Sequence, residues 1–255
     1  MADIVLAHGI FGFGAVPLGI GTNYFNGIAD LYRTDGHRVL APTVDMLGSL
    51  DRRSAQLRSA ITVGFPTSSR LIVIAHSMGG LDIRRVVHRD PMLAARVKGI
   101  VCICTPHFGS PVAEAVLDPA NPLRPHIPEW LLTALGPAGG ALADLVVRTN
   151  LQDPDMQGIT YFEIAGVAPD DSPLFGLCQA IGQLSPVGND GVVTVASATV
   201  PGRALFAQWP VDHGGAIGWP SGQLGAQALE AVFAPPDDHL RRYKDLLTAV
   251  LAALP

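Results

Sequence analysis

Short aliphatic runs punctuate the chain, and between them lie longer segments whose apolar residues recur at helical spacing. Ile4–Ala7, Arg38–Ala41, Leu71–Ile74, Gly99–Cys104, Thr160–Val167, Val192–Ala196 and Ala204–Gln208 read as strands. Asn23–Arg33, Arg52–Val63, Leu81–His88 and His239–Leu254 read as helices, the last of them following Pro235 and Pro236. Strand and helix signals in alternation predict a mostly parallel central sheet with helices on both faces. With 255 residues and no linker-like stretch, the pattern predicts a single α/β domain over residues 1–255. The rhythm breaks after Thr105. Prolines between Pro106 and Pro137 surround helical segments at Glu129–Leu135 and Ala141–Val147, predicting a Pro- and Gly-rich helical cap inserted at about residues 106–158. An irregular surface excursion is the alternative.

The run from Leu71 to Gly80, LIVIAHSMGG, leads an apolar strand directly into a serine flanked by small residues. This is the shape of a nucleophile elbow, a strand-to-helix turn so tight that the positions two before and two after the serine must be small. Ala75 and Gly79 occupy them, giving AxSxG. A small-x-Ser-x-Gly string also occurs by chance in unrelated loops. Here the preceding strand and the following helix supply the context that the motif needs.

A serine hydroxyl is a weak nucleophile until a base takes its proton, so the elbow predicts a histidine and an orienting carboxylate later in the chain. Downstream of Ser77 stand His88, His107, His126, His213 and His239. Only His213, in WPVDHGGAIG, falls in a loop beyond the last sheet strand, and its two following glycines leave the imidazole room to approach. For the carboxylate, Asp190 in GNDGVV leads, with Asp170 and Asp171 as competitors on topology. Asn-Asp-Gly is also ordinary turn chemistry. Asp212, adjacent to His213, points away on an extended segment. Backbone donors for an oxyanion are expected from Met78, the residue after the nucleophile, and from the loop AHGIFGFG, where Ile10 is the candidate. That loop does not have the GxGxxG spacing of a phosphate cradle: Gly9, Gly12 and Gly14 are wrongly placed for it.

A net charge of −5 and the lack of a clustered basic stretch argue against nucleic acid and favour a small or neutral substrate. No apolar run approaches the roughly 20 residues of a membrane helix. Met1 leads within a few residues into a strand, so a cytoplasmic protein is expected, with secretion or a processed precursor as alternatives. Cys102, Cys104 and Cys178 read as buried thiols, with Cys102 and Cys104 pointing the same way on one strand. A metal site of Cys102, Cys104 and His107 would lack a fourth ligand at zinc-like spacing.

Taken together, AHGIFGFG, NYFNGIADLYRTDGHRV, AHSMGG, TPHFGS, NDGVV and DHGG resemble the true lipases of proteobacteria, the Pseudomonas- and Proteus-type triacylglycerol lipases of the α/β-hydrolase superfamily. The motifs span residue 7 to about residue 215. The resemblance implies an α/β-hydrolase fold with Ser77 as nucleophile, Asp190 as acid, His213 as base, and Ile10 and Met78 as the oxyanion hole. Many of these relatives carry a disulfide that no cysteine pair here matches. They also bind a structural calcium through two aspartates; Asp170 stands near the first position as a possible remnant, and Gly215 occupies the second. The cap is somewhat shorter than usual. The sequence therefore predicts a serine carboxylic-ester hydrolase of the esterase or lipase type, needing no cofactor and acting on a small lipophilic ester, with a lipid–water interface as a further partner. A thioesterase, acyltransferase or polyester depolymerase would use the same machinery, and a non-catalytic binding protein on this scaffold is the rival from another class.

Overall fold

The computed structural model describes residues 1–10, 24–184, 187–219 and 239–255. Asn23, Gly12, Gly14, Pro235 and Pro236 lie outside the described residues. A six-stranded sheet is built from β1 (Asp3–Ala7), β2 (Arg38–Leu40), β3 (Leu71–His76), β4 (Val97–Ile103), β5 (Thr160–Gly166) and β6 (Ala207–Trp209), in the order β2-β1-β3-β4-β5-β6. Each neighbouring pair is parallel.

The aliphatic runs have a direct cause in the packing. Ile4, Leu6, Ile72, Ile74, Val101 and Ile103 join a core on one face with helices α1 (Ile28–Thr34) and α10 (His239–Ala253). Val5, Ala7, Val73, Ala75, Ile100 and Cys102 join a core on the other face with α2 (Leu50–Gly64) and α3 (Met78–Arg89). With both faces covered, successive strand residues must be apolar, and alternation disappears. The short helix α4 (Pro91–Ala94) precedes β4, and between β4 and β5 lie the short helices α5 (Pro111–Leu117), α6 (Glu129–Leu135) and α7 (Gly139–Ala143). Leu123, Ile127, Leu131, Leu135 and Leu142 from this stretch pack with Ile10, Met78 and Leu81, which places it against the start of α3.

Two expected elements are corrected. Val192–Ala196 is not a sheet strand: it passes through a bend into the short helix α9 (Val195–Ala198). Asp190 Oδ1 accepts the N–H groups of Val192 and Val193 at 2.9 and 2.7 Å, taking the donors a strand would give its neighbour, and Thr194 caps the helix by accepting from Ser197 N–H. Ala141–Val147 is not one helix either, because α7 ends at Ala143 and the chain is drawn toward the segment after β4. There Ser110 N–H donates to Leu145 O at 2.8 Å and Arg148 N–H to Phe108 O at 2.9 Å. A further helix, α8 (Phe175–Leu184), follows β5 where no element was expected.

Arg53 ties several of these pieces together from a fully buried position on α2. It donates to both carboxylate oxygens of Asp82 on α3, to His8 O at 2.7 Å and to Asp45 O at 2.9 Å. Burial pushes the Asp82 carboxyl up to about 6 despite the guanidinium beside it. Arg53→Met would leave a buried carboxylate without its partner, so a loss of about 3–5 kcal/mol is expected by chemical denaturation. Arg33→Met, which removes an exposed pair with Asp30, should change stability by less than about 1 kcal/mol. Equal losses in the two variants would refute the assigned role of Arg53.

Candidate active site

In a parallel α/β sheet, sites form beyond the carboxyl ends of the strands. His8, Gly9 and Ile10 follow β1, Ser77 follows β3, and His213 follows β6. Asp190 lies in the long connection between β5 and β6. The turn at Ser77 is strained, with φ 56° and ψ −131° for a non-glycine residue. The surrounding small residues are dictated by contact. A Cβ at Gly79 would lie 2.3 Å from Ala7 O, and one at Gly80 would lie 2.1 Å from Thr105 Oγ1.

The structure brings Ser77, His213 and Asp190 into one line. The Ser77 hydroxyl is 3.0 Å from His213 Nε2, placed to donate to it, and His213 Nδ1–H is placed to donate to Asp190 Oδ2 at 2.7 Å. All three residues are buried. The Asp190 carboxylate is itself held by its two bonds from Val192 and Val193, and Asp190 O accepts the His213 N–H at 2.9 Å. The aspartate thus fixes both the backbone and the ring of the histidine. An imidazole with its Nδ1 proton engaged in this way presents a lone pair at Nε2, which is the acceptor a serine nucleophile requires.

Met78 opens α3, so its N–H is at a helix N-terminus beside Ser77. Ile10 lines the same cavity of about 40 Å³ as Ser77 and His213, together with Ser110, Leu131, Leu142 and Val192. A larger, mostly apolar cavity of about 460 Å³ runs along Phe108, Pro111, Ile181 and Leu184 and includes none of the triad. Size alone would select the larger one, but the convergent polar groups are in the smaller.

The other candidates are dispersed. Asp170 is exposed, and Asp171 lines a separate cavity with Asp212. Asp212 turns away from the imidazole: its Oδ1 accepts Gly215 N–H at 2.8 Å and its Oδ2 accepts the Ser172 hydroxyl at 2.7 Å. Among the described residues, Asp170 is exposed, Asp212 is held by the Gly215 N–H and the Ser172 hydroxyl, and Gly215 offers no carboxylate, so these three positions do not converge as hard-oxygen ligands. His239 Nε2 is 2.8 Å from Asn26 O, at the start of α10. His107 is buried near Glu163, with Nε2 3.8 Å from its carboxylate, and burial holds its pKa well below the usual histidine value. Cys102, Cys104 and Cys178 are buried free thiols. Cys102 and Cys104 face opposite cores, contrary to expectation, because β4 ends at Ile103 and Cys104 takes φ 50°. Among the described residues, the cluster with metal-ligating side chains in reach of one another is His76, Cys104 and His213, not Cys102, Cys104 and His107.

Sequence reasoning missed the buried polar support of the site. His8 Nδ1–H donates to Gly9 O at 2.8 Å and its Nε2 accepts Val44 N–H at 3.0 Å. Burial lowers its pKa to about 4, so the ring is neutral and locked in that tautomer. Tyr24 and His76 form a second support. Nothing in their local sequence signals it, because the contact joins three separate segments.

Residues 38–118 match the PGAP1-like alpha/beta domain family. A stretch of 101 residues is 32% identical to triacylglycerol lipase 2 of Saccharomyces cerevisiae, covering 37% of this chain and 31% of that protein. The match thus spans about a third of the relative's length. Among solved structures, the mature form of Bacillus licheniformis lipase BlEst2 aligns with a TM-score of 0.66 at 20% identity, over 90% of this chain and 91% of that one. The metagenomic carboxyl esterase MGS0156 aligns with a TM-score of 0.59 at 18% identity, over 83% and 64%. The six-stranded parallel sheet with its helices and these likenesses define an α/β-hydrolase fold.

Proposed function

We propose that this chain is a serine carboxylic-ester hydrolase acting on lipophilic esters, of the kind represented by the Pseudomonas- and Proteus-type lipases. The observation that carries the reading is the Ser77–His213–Asp190 relay at the end of β3. The partial match to a yeast triacylglycerol lipase and the lipase and esterase folds support it.

Ser77 Oγ attacks the ester carbonyl carbon while His213 Nε2 takes the hydroxyl proton. The carbonyl electron pair moves to oxygen, where the Ile10 and Met78 amides donate to it. Collapse of this intermediate breaks the bond to the alcohol oxygen, which receives the proton from His213. Water then attacks the acyl-enzyme, losing a proton to His213, and the second collapse returns that proton to Ser77 Oγ as the acid leaves. Asp190 holds the neutral imidazole in the tautomer that accepts at Nε2 and stabilises the imidazolium formed after each proton is taken.

The stretch at residues 106–158 acts as a cap over Ser77, and apolar side chains such as Leu131, Leu142 and Val112 line the space beside the nucleophile. With a cap shorter than that of the lipases this chain resembles, less apolar surface is available to bury each added methylene, worth about 0.8 kcal/mol. On p-nitrophenyl esters from acetate to palmitate, short and medium chains are expected to be preferred, with kcat/KM for butyrate above that for palmitate. A palmitate preference would overturn the chain-length assignment. Absence of hydrolysis across the panel, together with no labelling of Ser77 by a fluorophosphonate, would overturn the esterase reading and favour a binding protein on this scaffold. No helix among the described residues is long and apolar enough to cross a membrane.

A further inference from the structure

Tyr24 touches neither the triad carboxylate nor the catalytic imidazole in the hydrogen-bond relay, yet its hydroxyl sits between the two segments that supply the oxyanion donors. It accepts the Gly9 N–H at 3.1 Å and is 2.7 Å from His76 Nδ1, placed to donate to it when the imidazole proton is on Nε2. Gly9 immediately precedes Ile10, and His76 immediately precedes Ser77. The last paired residues of β1 and β3 are Ala7 and Ala75, so beyond them the sheet no longer holds these two segments together. The phenol replaces the ladder where it ends.

Close approach is built into this junction. A Cβ at Gly9 would lie 2.6 Å from Ser77 Cβ and 2.9 Å from the Tyr24 hydroxyl oxygen, so glycine is what allows the loop to reach both. Tyr24 is buried, and its own carbonyl accepts Trp219 Nε1–H at 2.9 Å. With the phenol already accepting from Gly9 N–H, its own proton is assigned to His76 Nδ1 and the imidazole proton to Nε2, which has no hydrogen-bond partner among the described residues; the ring lies 4.7 Å from that of His213, centroid to centroid. Burial, reinforced by the neighbouring His213, keeps His76 well below the usual histidine pKa, so it adds no second charge beside the catalytic base.

We propose that Tyr24 is a positioning residue whose hydroxyl couples the oxyanion loop to the nucleophile elbow, holding the Ile10 and Met78 amides at a fixed separation. The proposal rests on the ester-hydrolase reading. Oxyanion donors act at 2.7–3.1 Å, about the length of an ordinary hydrogen bond, and removing one outright costs roughly 10²–10³ in kcat. Loosening one by removing its anchor costs less.

The test compares Tyr24→Phe, His76→Leu and His76→Asn with the parent enzyme. Tyr24→Phe is expected to lower kcat for p-nitrophenyl butyrate by about 10–100-fold with KM within about twofold, and to weaken inhibition by a phenylboronic acid, whose serine adduct is tetrahedral, by a similar factor. His76→Leu should behave alike. His76→Asn, which returns an acceptor oxygen near the Nδ1 position, should recover most of that loss. A phenol that only packs would lower the melting temperature and leave kcat and boronate affinity unchanged, and that result overturns the proposal. Should Tyr24→Phe not fold, the His76 pair decides by the same readouts, with equal kcat in the two variants overturning the coupling. An active parent with an equally active Tyr24→Phe overturns the proposal alone, whereas an inert parent overturns the ester-hydrolase reading and the proposal with it.

Discussion

Ser77→Ala is expected to reduce hydrolysis of p-nitrophenyl butyrate by about 10⁴-fold or more, with the melting temperature close to that of the parent. The two halves have separate physical causes. The elbow constrains the backbone at φ 56° and the space around Gly79 and Gly80, and alanine keeps the Cβ that serine already places there. What is lost is the oxygen that forms the acyl-enzyme and the hydrogen bond to His213 Nε2. His213→Ala should be comparably damaging, because without the base the serine proton has no acceptor at 3.0 Å. Residues that act as one relay are not additive, so the double variant should be little worse than either single one. His239→Ala removes a contact with Asn26 O at the start of α10, remote from the relay in role, and should act on stability rather than on turnover. Activity of Ser77→Ala within about tenfold of the parent, against the usual loss for such serines, would remove it as nucleophile. A His239→Ala variant more impaired than His213→Ala would move the base.

The part of this site that was legible in the sequence is the part set by short-range sterics. Ala75, Ser77, Gly79 and Gly80 are close in the chain, so their small residue types announce the turn even though the atoms that crowd Gly79 and Gly80 belong to Ala7 and Thr105. Leu71–Ile74 announces a strand because both faces of β3 are covered there and all four side chains are apolar and buried, which replaces alternation by a continuous aliphatic run. Val192–Ala196 misled because β-branched residues signal burial as readily as they signal a ladder. Their amide protons were taken by the Asp190 side chain, a local competition with no compositional trace. Phe175–Leu184 was missed for the opposite reason. It contains two glycines and no charged residue, and its exposed face is marked only by Gln179 and Gln183 with Gly176 and Leu184, a weak polar stripe by which to recognise an amphipathic helix. The supports beneath the site, Arg53–Asp82 and Gly9–Tyr24–His76, join segments far apart in the chain and depend on tertiary contact.

Asp190→Asn should reduce turnover by about 10⁴-fold, and the geometry around the carboxylate says why an amide cannot substitute for it. Oδ1 accepts two backbone N–H groups, from Val192 and Val193, while Oδ2 accepts Nδ1–H of His213. An asparagine has one oxygen to serve both demands. If that oxygen stays with the two amides, the NH₂ group faces Nδ1 and favours the tautomer with its proton on Nε2, which cannot accept the Ser77 proton. If the amide flips, NH₂ confronts two buried N–H donors, at a cost of roughly 1–3 kcal/mol for each donor left unpaired. The first arrangement is favoured, and it is the inactive one. Asp212→Asn poses no such conflict, since its oxygen can keep Gly215 N–H while NH₂ donates to the Ser172 hydroxyl, which rotates to accept. Asp170→Asn alters an exposed side chain. Measured on p-nitrophenyl butyrate, with fluorophosphonate labelling of Ser77 as a second readout of its activation, Asp190→Asn should be the slowest of the three in both assays. An Asp170→Asn or Asp212→Asn variant slower than Asp190→Asn would transfer the role of the acid to that residue.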